Sequence, residues 1–285
     1  MTIEPLDSAL ITRLVRAALD EDRAFDDATT LATVAPSLRG TASFLAKEEG
    51  VLAGMAVALE AFRQLDSEAA LAVHVSDGQP FERGTVLAAV TCSVQGMLRA
   101  ERVALNFLQR MSGTATLTRR FVDAVVGTRA VILDTRKTTP GLRDFEKYAV
   151  RCGGGINHRR DLASMAMIKD NHREALERME RSLADGVEDI RARTPGIPVE
   201  VEIDALDQLS AALEAAPEWI LLDNMEVSEM AEAVRRVAGR AKLEASGGVN
   251  LATVRAIAET GVDAISVGAL THSARALDIS LDLAF

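Results

Sequence analysis

The spacing of hydrophobic and polar residues changes along the chain, and this change divides the sequence into two parts. In the first part, β-like runs predict strands over 41–47, 70–75 and 85–90, and turn-forming residues separate the last two. Helical spacing predicts one helix that Asp7 and Ser8 cap, and a second helix over 55–65. These elements indicate a mixed α and β unit with antiparallel strand pairing.

The second part follows a long amphipathic helix, which the spacing places at 94–111. Apolar runs of strand length then recur, with helix-like stretches between the later ones. The six runs lie at 130–133, 165–168, 199–203, 219–222, 243–245 and 264–267, and the helix-like stretches at 205–215, 228–238 and 251–259. Repeated βα units predict a parallel sheet. Six strands rather than eight indicate an incomplete α/β barrel, with a doubly wound open sheet as the alternative.

Polar residues of the second part stand at one end of these runs. They are Asp134, Arg136, Lys169, Asp170, Glu202, Asp204, Asp223, Asn224, Ser246, Gly247 and Gly268. Because the loops at the carboxyl ends of the strands build the binding site of an α/β barrel, we expect these residues to share one site.

Composition and charge restrict what such a site binds. The 285-residue chain has a formal charge of −10 and only 4% aromatic residues, which argues against a nucleic-acid surface. Residues 131–175 are an exception, with nine Lys and Arg against six Asp and Glu. A local excess of cations beside glycines and histidines predicts a pocket for a highly anionic small molecule.

Other signals concern location and cysteine chemistry. The start of the chain lacks the basic and apolar segments of a signal peptide, and no apolar run approaches the roughly 20 residues that span a bilayer. We therefore expect a cytoplasmic protein that does not bind membranes. The two cysteines, Cys92 and Cys152, are too few for a disulfide framework or a thiolate metal site. For Cys152, a packing role is favoured over a nucleophilic one.

Cations in three segments form the predicted anion pocket. Arg136 and Lys137 directly follow a strand, His158 and Arg159 follow a glycine triplet, and Lys169 ends the next strand. The glycines permit close backbone approach, and the cations that follow them can grip carboxylates. Solvated loop charges are the alternative for the first pair taken alone.

A glycine-containing segment offers a phosphate site. Ser246, Gly247 and Gly248 stand between a predicted strand and a predicted helix, where backbone N–H groups and the helix dipole favour an anion. Gly268, after the last strand, strengthens this interpretation because barrels often bind phosphate with their last two loops. A plain turn is the alternative.

Carboxylates alternate along one predicted strand. Glu200, Glu202 and Asp204 share a face of it, and Asp223 ends the next strand. These groups could form an oxygen-rich Mg²⁺ site, or they could pair with lysine and arginine. His172 could act as a base, although a hydrogen-bonded structural role is the more common one for a lone loop histidine.

Six segments are specific enough to compare with known families. They are DTRKTTPGLR at 134–143, KYAVRCGGGINHR at 147–159, IKDNH at 168–172, LLDN at 221–224, EASGG at 244–248 and VGALTH at 267–272. In this order they resemble the quinolinate phosphoribosyltransferase family, the decarboxylating transferases of NAD synthesis. The resemblance covers nearly the whole chain.

The resemblance implies a fold and an assembly. The expected fold is an N-terminal α/β sandwich domain over 1–111, joined by the tail 272–285, and an incomplete α/β barrel over 112–271. The expected assembly is a homodimer, or a higher homo-oligomer, with shared active sites. Arg102 matches the arginine that the family donates to the partner's site.

The resemblance also implies roles for single residues. The two carboxylates of quinolinate would be held by Arg136, His158, Arg159 and Lys169. Phosphoribosyl pyrophosphate and its Mg²⁺ would contact Lys137, Glu200 and Asp223, and the 5′-phosphate would contact Ser246, Gly247, Gly248 and Gly268. The expected catalytic residues are Lys137, Lys169, Glu200 and Asp223, and the expected products are nicotinate mononucleotide, pyrophosphate and CO₂.

Two segments depart from the family pattern, at 26–30 and 160–164, without removing an expected contact. Three alternatives stay open beside the main expectation. The chain could act on another pyridine carboxylate such as nicotinate, although three cations suit two carboxylates better than one. It could be a molybdenum-transport-associated relative, or a sensor that binds phosphoribosyl pyrophosphate without turnover, but the full set of expected contacts argues against both.

Overall fold

The computed structural model describes residues 3–284. Its α-helices are α1 Ser8–Glu21, α2 Ala28–Thr33, α3 Met55–Arg63, α4 Val94–Ala124, α5 Arg143–Cys152, α6 Asp170–Arg178, α7 Leu183–Arg193, α8 Leu209–Glu214, α9 Val227–Val237, α10 Val254–Glu259 and α11 Ala269–His272. Single turns of 3-10 helix lie at Ala24–Asp26 and Leu206–Gln208.

The strands of the described residues form three sheets. They are β1 Arg39–Ala46, β2 Gly50–Val51, β3 Ala70–Val73, β4 Pro80–Phe81, β5 Val86–Ser93, β6 Val131–Leu133, β7 Ala166–Ile168, β8 Val199–Ile203, β9 Trp219–Asp223, β10 Lys242–Ser246, β11 Ala264–Ser266 and β12 Ile279–Ala284. One sheet has the order β12-β1-β5-β3, another the order β6-β11-β10-β9-β8-β7, and β2 pairs with β4.

Most predicted elements are present, and the differences have local causes. Asp7 caps α1 by accepting a hydrogen bond from the N–H of Ala9 at 3.2 Å. Asp27, within the first departure from the family pattern, caps α2 by accepting from the N–H groups of Thr29 and Thr30 at 3.0 Å each. The helix predicted to end at Met111 continues to the end of α4. Helix α6 was not predicted, since none of its residues is buried and it carries no apolar stripe.

The chain forms two compact units. The first contains the residues up to Arg119, Thr138–Gly154 and the residues from Leu270 onwards, and the second contains Arg120–Lys137 and Gly155–Ala269. The sequence-based boundaries place Thr138–Gly154 in the barrel domain, whereas in the structure this segment belongs to the first unit. The reason is helix α5, which contributes to the hydrophobic core of the first unit.

The first unit has its core between helices and an antiparallel sheet. Strand β1 pairs with β5 on one side and with β12 on the other. Its residues Ala42, Phe44 and Ala46 are buried in alternation, and the ring of Phe44 meets that of Phe62 edge to face at 6.0 Å. The final strand is thus an edge strand of the N-terminal sheet.

The second unit contains a parallel sheet that winds in one direction. Strands β7 to β11 are neighbours in chain order, and β6, the first of this sheet in the chain, pairs with β11. A doubly wound sheet would reverse its order at an internal switch point, and this sheet does not. The first two strands of this sheet in the chain, β6 and β7, lie at its two opposite edges. The structure therefore confirms the predicted α/β class with an incomplete barrel.

In the part of the chain that the structure describes, no helix combines the length and the hydropathy that crossing a bilayer requires.

A close backbone approach in the first unit gives a test of the fold. At Gly113, within α4, a Cβ would lie 1.9 Å from the carbonyl oxygen of Arg275. We expect Gly113→Ala to lower the free energy of unfolding by about 1–3 kcal/mol, because the added methyl group forces the two segments apart. This effect opposes the stabilisation that alanine normally gives a helix.

Chemical denaturation measures this difference. Arg120→Ala, at an exposed position of the same helix, is the control and should change the free energy of unfolding by no more than about 0.5 kcal/mol. Equal stability of the two variants would contradict the close packing of Gly113 against residues 275–276.

Candidate active site

A cavity of about 550 Å³ lies at the carboxyl ends of the parallel strands of the second unit. Every strand of this sheet contributes to it through its last residues or the loop that follows. Its lining residues are Thr135, Arg136, Lys137, His158, Arg159, Met167, Lys169, Glu202, Leu221, Asp223, Asn224, Glu244, Ser246, Gly247, Gly248 and Ser266. Of the eleven polar residues expected to share one site, seven line this cavity, and the other four, Asp134, Asp170, Asp204 and Gly268, are not among its lining residues.

Two guanidinium groups lie close together in this cavity. Burial, and then the charge of Arg136, lower the pKa of Arg159. The Arg159 side chain is held by hydrogen bonds from Nη1 to the carbonyl oxygen of Met165 at 3.2 Å and from Nη2 to Sδ of Met167 at 3.3 Å. Like charges held at short range favour an anion between them.

Lys169 adds an ammonium group to the same cavity. Its Nζ forms an ion pair with the carboxylate of Glu202. Its backbone N–H donates to Nδ1 of His172 at 3.0 Å, so this histidine caps the start of α6. Of the two roles considered for His172, the structure favours the structural one.

Below the cations lies a buried cluster of one imidazole and two carboxylates. Nε2 of His158 lies 3.3 Å from Oε2 of Glu200 and 3.1 Å from Oε2 of Glu244. The side chains of Glu200 and Glu244 are 0% and 2% exposed. Glu244 lines the cavity, whereas the fully buried Glu200 reaches it only through His158. Two carboxylates so close together need a shared proton or a cation.

The neighbours of His158 fix the position of its ring and determine which ring nitrogen carries the proton. Asp134, fully buried, accepts a hydrogen bond from the backbone N–H of His158 at 2.8 Å. The N–H of Arg159 donates to Nδ1 at 2.7 Å, which a nitrogen can accept only when it carries no proton. We therefore assign the neutral tautomer, in which the proton on Nε2 faces Glu200 and Glu244.

The carboxylates shift the pKa values of His158 and Glu200. Burial lowers the pKa of His158, but the close contacts of Nε2 with the carboxylates of Glu200 and Glu244 and their charges outweigh burial and raise the pKa to about 10. A raised pKa by itself would favour the imidazolium, but the Arg159 N–H that donates to Nδ1 requires this nitrogen to carry no proton, so the ring is neutral. Burial, and then the charge of Glu244, raise the pKa of Glu200 to about 7.

The carboxylates of strand β8 and the loop after it have different partners. Glu200 and Glu202 point towards the site and meet His158 and Lys169. Asp204 lies beyond the strand and accepts a hydrogen bond from Nε2 of Gln208 at 2.6 Å. The structure thus brings two of the three predicted carboxylates to the site, and both are paired with basic side chains.

A tight loop follows strand β10. Gly247 and Gly248 have φ values of +90° and +60°, which favour glycine, and both line the cavity with Ser246. Helix α10 begins only at Val254. The sequence predicted a helix from residue 251, so the loop lies farther from the helix N-terminus than expected. Gly268 follows strand β11, two residues after Ser266, which lines the cavity.

Two predicted residues belong to the first unit. Arg102 is exposed on α4, where it lines a separate cavity with Glu21 and Asp22. Its role in a partner's site stays a prediction. Burial, and then the charge of Asp77, raise the pKa of Cys152 to about 12, so this thiol is unsuited to nucleophilic chemistry.

Sequence reasoning missed the roles of Glu244 and Asp134. Asp134 and Glu244 each lie in a segment that resembles the family, at 134–143 and 244–248. The alternation of Glu244 and Ser246 along β10 is the same signal that identified Glu200 and Glu202. Asp134 accepts hydrogen bonds from Asn157 and His158 at 2.6 and 2.8 Å. That contact joins residues more than twenty positions apart, which no local pattern reveals.

The second departure from the family pattern forms a loop that is held by its own hydrogen bonds. Oδ1 of Asp161 accepts from the N–H groups of Ala163 and Ser164 at 3.0 Å each. Oγ of Ser164 accepts from the N–H of Arg160 at 3.1 Å. These residues flank Arg159 in sequence and lie outside the set that lines the cavity.

The buried carboxyl group of Glu200 gives a pH-dependent prediction. Its pKa is raised from 4.5 to about 7 in the folded protein. The unfolded chain therefore loses this proton first as pH rises through that window, and the folded state loses stability. Relative to Glu200→Gln, the free energy of unfolding of the unmodified protein should fall by on the order of 1–3 kcal/mol as pH rises from about 4.5 to about 7.

Chemical denaturation on both sides of this window measures the difference. Glu214→Gln, at an exposed position, is the matched control. A difference between Glu200→Gln and the unmodified protein that did not change with pH would contradict the burial of an ionisable carboxyl group at this position.

Comparison with known proteins places this geometry in a family. The family model described as the N-terminal domain of quinolinate phosphoribosyl transferase matches residues 27–112, and that of the C-terminal domain matches residues 114–282. The chain is 47% identical over 275 residues to a nicotinate-nucleotide pyrophosphorylase (carboxylating) of Mycobacterium leprae, covering 94% of this chain and 95% of the relative.

Two further comparisons agree. A quinolinate phosphoribosyltransferase (decarboxylating) of Nicotiana glauca is 42% identical over 289 residues, covering 96% of this chain and 82% of the relative. The solved structure of the nicotinate-nucleotide pyrophosphorylase from Francisella tularensis superimposes with a TM-score of 0.92 at 38% identity, covering 100% of this chain and 99% of that one. The chain therefore belongs to the quinolinate phosphoribosyltransferase family.

Proposed function

We propose that this protein transfers the phosphoribosyl group of phosphoribosyl pyrophosphate to quinolinate and releases CO₂ and pyrophosphate, giving nicotinate mononucleotide for NAD biosynthesis. The observation that carries the proposal is the composition of a single cavity. It holds two adjacent guanidinium groups, two ammonium groups and a glycine loop at the ends of neighbouring strands. A dicarboxylate and a phosphorylated sugar are the anions that this set of groups suits.

Quinolinate is proposed to bind at the cations nearest the buried cluster. Arg136 and Arg159 offer planar donors for one carboxylate, and Lys169 offers a point charge for the other. His158 lines the same part of the cavity with its ring held by Asp134 and the Arg159 amide. Glu202 holds Lys169 until a substrate carboxylate takes its place.

Phosphoribosyl pyrophosphate is proposed to bind at the other side of the cavity. Ser246, Gly247 and Gly248 supply the loop for the 5′-phosphate, and Gly268 follows the neighbouring strand. Lys137 is exposed and lines the cavity, so its ammonium group can reach the pyrophosphate. This division gives each substrate its own set of protein groups.

The carboxylates of the cavity suit Mg²⁺ only when the substrate's phosphates supply further oxygen ligands. Mg²⁺ usually keeps several waters and binds one or two carboxylates plus substrate phosphates. Asp223 is a cavity-lining carboxylate close to the glycine loop and suits this role. Glu200, which was also predicted for Mg²⁺, is buried against His158, so we propose that its contribution is electrostatic. When bound, Mg²⁺ would neutralise charge on the departing pyrophosphate.

The chemistry requires no protein nucleophile. The pyridine nitrogen attacks the anomeric carbon while the bond to pyrophosphate breaks, and positive charge develops on the ribosyl group. Negative charge on buried Glu244 and Glu200 can stabilise that positive charge. The bond to the 2-carboxylate then breaks as CO₂ leaves, and the electron pair stays on the ring carbon, which the adjacent pyridinium stabilises. A proton from water then forms the C–H bond of nicotinate mononucleotide. Arg136 and Arg159 act by holding the ring, an effect that can reach about 7–11 kcal/mol in favourable cases.

The reaction itself is the first test of the proposal. Purified protein with Mg²⁺, quinolinate and phosphoribosyl pyrophosphate should release CO₂ and pyrophosphate in equal amounts and form nicotinate mononucleotide. Carboxyl-labelled quinolinate and chromatography of the nucleotide measure these products. Arg159→Ala should raise KM for quinolinate far more than KM for phosphoribosyl pyrophosphate, since it removes a carboxylate contact only.

Two outcomes would redirect the proposal. Activity with nicotinate and none with quinolinate would assign the protein to another pyridine carboxylate. Binding of phosphoribosyl pyrophosphate without any product would favour a sensor. The cytoplasmic location expected from the sequence stays a prediction.

We also propose that the protein works as a homodimer in which Arg102 completes the partner's site. Arg102 is exposed on α4, and the proposal for its role rests on the family resemblance. Mixing inactive Arg102→Ala chains with inactive Lys137→Ala chains should restore part of the activity, because some dimers then contain one intact site.

Native mass spectrometry establishes whether the subunits have exchanged. Mixing each variant with itself is the control, and it should restore nothing. Exchange without recovered activity would show that Arg102 serves its own subunit or has no role in the reaction.

A further inference from the structure

Asn224 has a strained backbone conformation at the edge of the cavity. Its φ of 53° lies in the left-handed region, which costs energy for residues other than glycine, although asparagine tolerates it better than most. Asn224 is exposed and contributes no side chain to the core. Strain at an exposed position beside a binding site suggests a role in that site.

The Asn224 amide is tied to two neighbouring groups. Its Nδ2 donates to Oδ2 of Asp223 at 2.8 Å. Its Oδ1 packs against Gly247 so closely that a Cβ on this glycine would lie 2.1 Å away. The backbone N–H of Asn224 adds a hydrogen bond to the carbonyl oxygen of Ser246 at 2.9 Å.

These contacts join the ends of two strands. Asp223 ends β9 and Ser246 ends β10, and the two residues are partners in the register of the parallel pair. Asn224 continues this connection beyond the last pair of the sheet. It therefore links the proposed Mg²⁺ carboxylate to the proposed 5′-phosphate loop, although it belongs to neither.

We propose that Asn224 is a positioning residue for phosphoribosyl pyrophosphate, which orients the Asp223 carboxylate and holds the Ser246–Gly248 loop in place. This inference rests on the proposed function and extends it to a residue that does not touch the reacting atoms. Hydrogen bonds to a ligating carboxylate fix its orientation, and their loss typically costs 10–100-fold in metal affinity or activity. Close packing of the amide against Gly247 fixes the loop by a second contact.

Two substitutions distinguish the effect of the Asn224 side-chain amide from the effect of its backbone conformation. Asn224→Gly removes the amide but accepts a positive φ without strain, whereas Asn224→Ala removes the amide and keeps the strain. If the amide acts as proposed, both should raise KM for phosphoribosyl pyrophosphate by about 10–100-fold and leave KM for quinolinate nearly unchanged. The alanine variant should unfold at a lower temperature than the glycine variant.

Binding without turnover gives a second measurement. Titration calorimetry with phosphoribosyl pyrophosphate and Mg²⁺ should show the loss of affinity in both variants, and titration with quinolinate alone should show the affinity of the unmodified protein. A variant that binds quinolinate normally is folded at the site. Weaker binding of phosphoribosyl pyrophosphate by that variant then shows that Asn224 positions the groups that bind it. A merely structural role for Asn224 would weaken both ligands together.

A double-mutant cycle tests whether Asn224 acts through Asp223. If it does, adding Asn224→Gly to Asp223→Ala should cost less than Asn224→Gly costs alone, because only the contact with Gly247 is then left to lose. The proposal is overturned if Asn224→Gly keeps the unmodified KM for phosphoribosyl pyrophosphate, or if the two substitutions are fully additive. An unmodified protein that forms no product from either pyridine carboxylate would overturn the proposed function instead, and the calorimetric comparison would still decide the role of Asn224.

Discussion

The gathering of cations at the carboxyl ends of one parallel sheet is the constraint on which the binding site depends. Arg136 and Arg159 lie close enough for the charge of one to lower the pKa of the other. Such an arrangement is unfavourable until an anion arrives, so the fold must hold the groups by other contacts. The carbonyl oxygen of Met165 holds Arg159 in this way, and the carboxylate of Glu202 holds Lys169. The site is therefore organised before substrate binds, and little reorganisation is needed during the reaction.

The same electrostatic argument explains the buried acidic groups. Glu200 and Glu244 would repel a dicarboxylate if they faced the cavity without compensation. They share the Nε2 side of His158 instead, and Asp134 and the Arg159 amide hold the rest of that residue. Glu200 is thus kept behind the surface of the cavity, whereas Glu244 lines the cavity beside His158. In these positions their negative charge can favour a cationic ribosyl group without excluding the carboxylates.

The sequence predicted the parts of this arrangement that depend on local patterns. Strand composition and helical spacing gave the order of the elements, and polar strand ends located the site, because in a parallel sheet these ends lie side by side. Contacts between distant residues were not predictable. The pairing of Glu244 with His158 joins a residue of strand β10 to a loop residue before β7, and no spacing in the sequence connects the two. Helix α5 packs in the first unit because of its apolar face, although chain order places it within the second.

The order of strands also has a consequence for synthesis of the chain. Strand β6 pairs with β11, with Ile132 opposite Ile265, and β1 pairs with β12, with Thr41 opposite Ala284. In each sheet an early strand must wait for a partner strand that is synthesised more than 100 residues later. Such high contact order slows folding and leaves unpaired strand edges exposed to aggregation in the meantime. Nascent chains of this topology are thus expected to depend on chaperones until β11 and β12 have been synthesised.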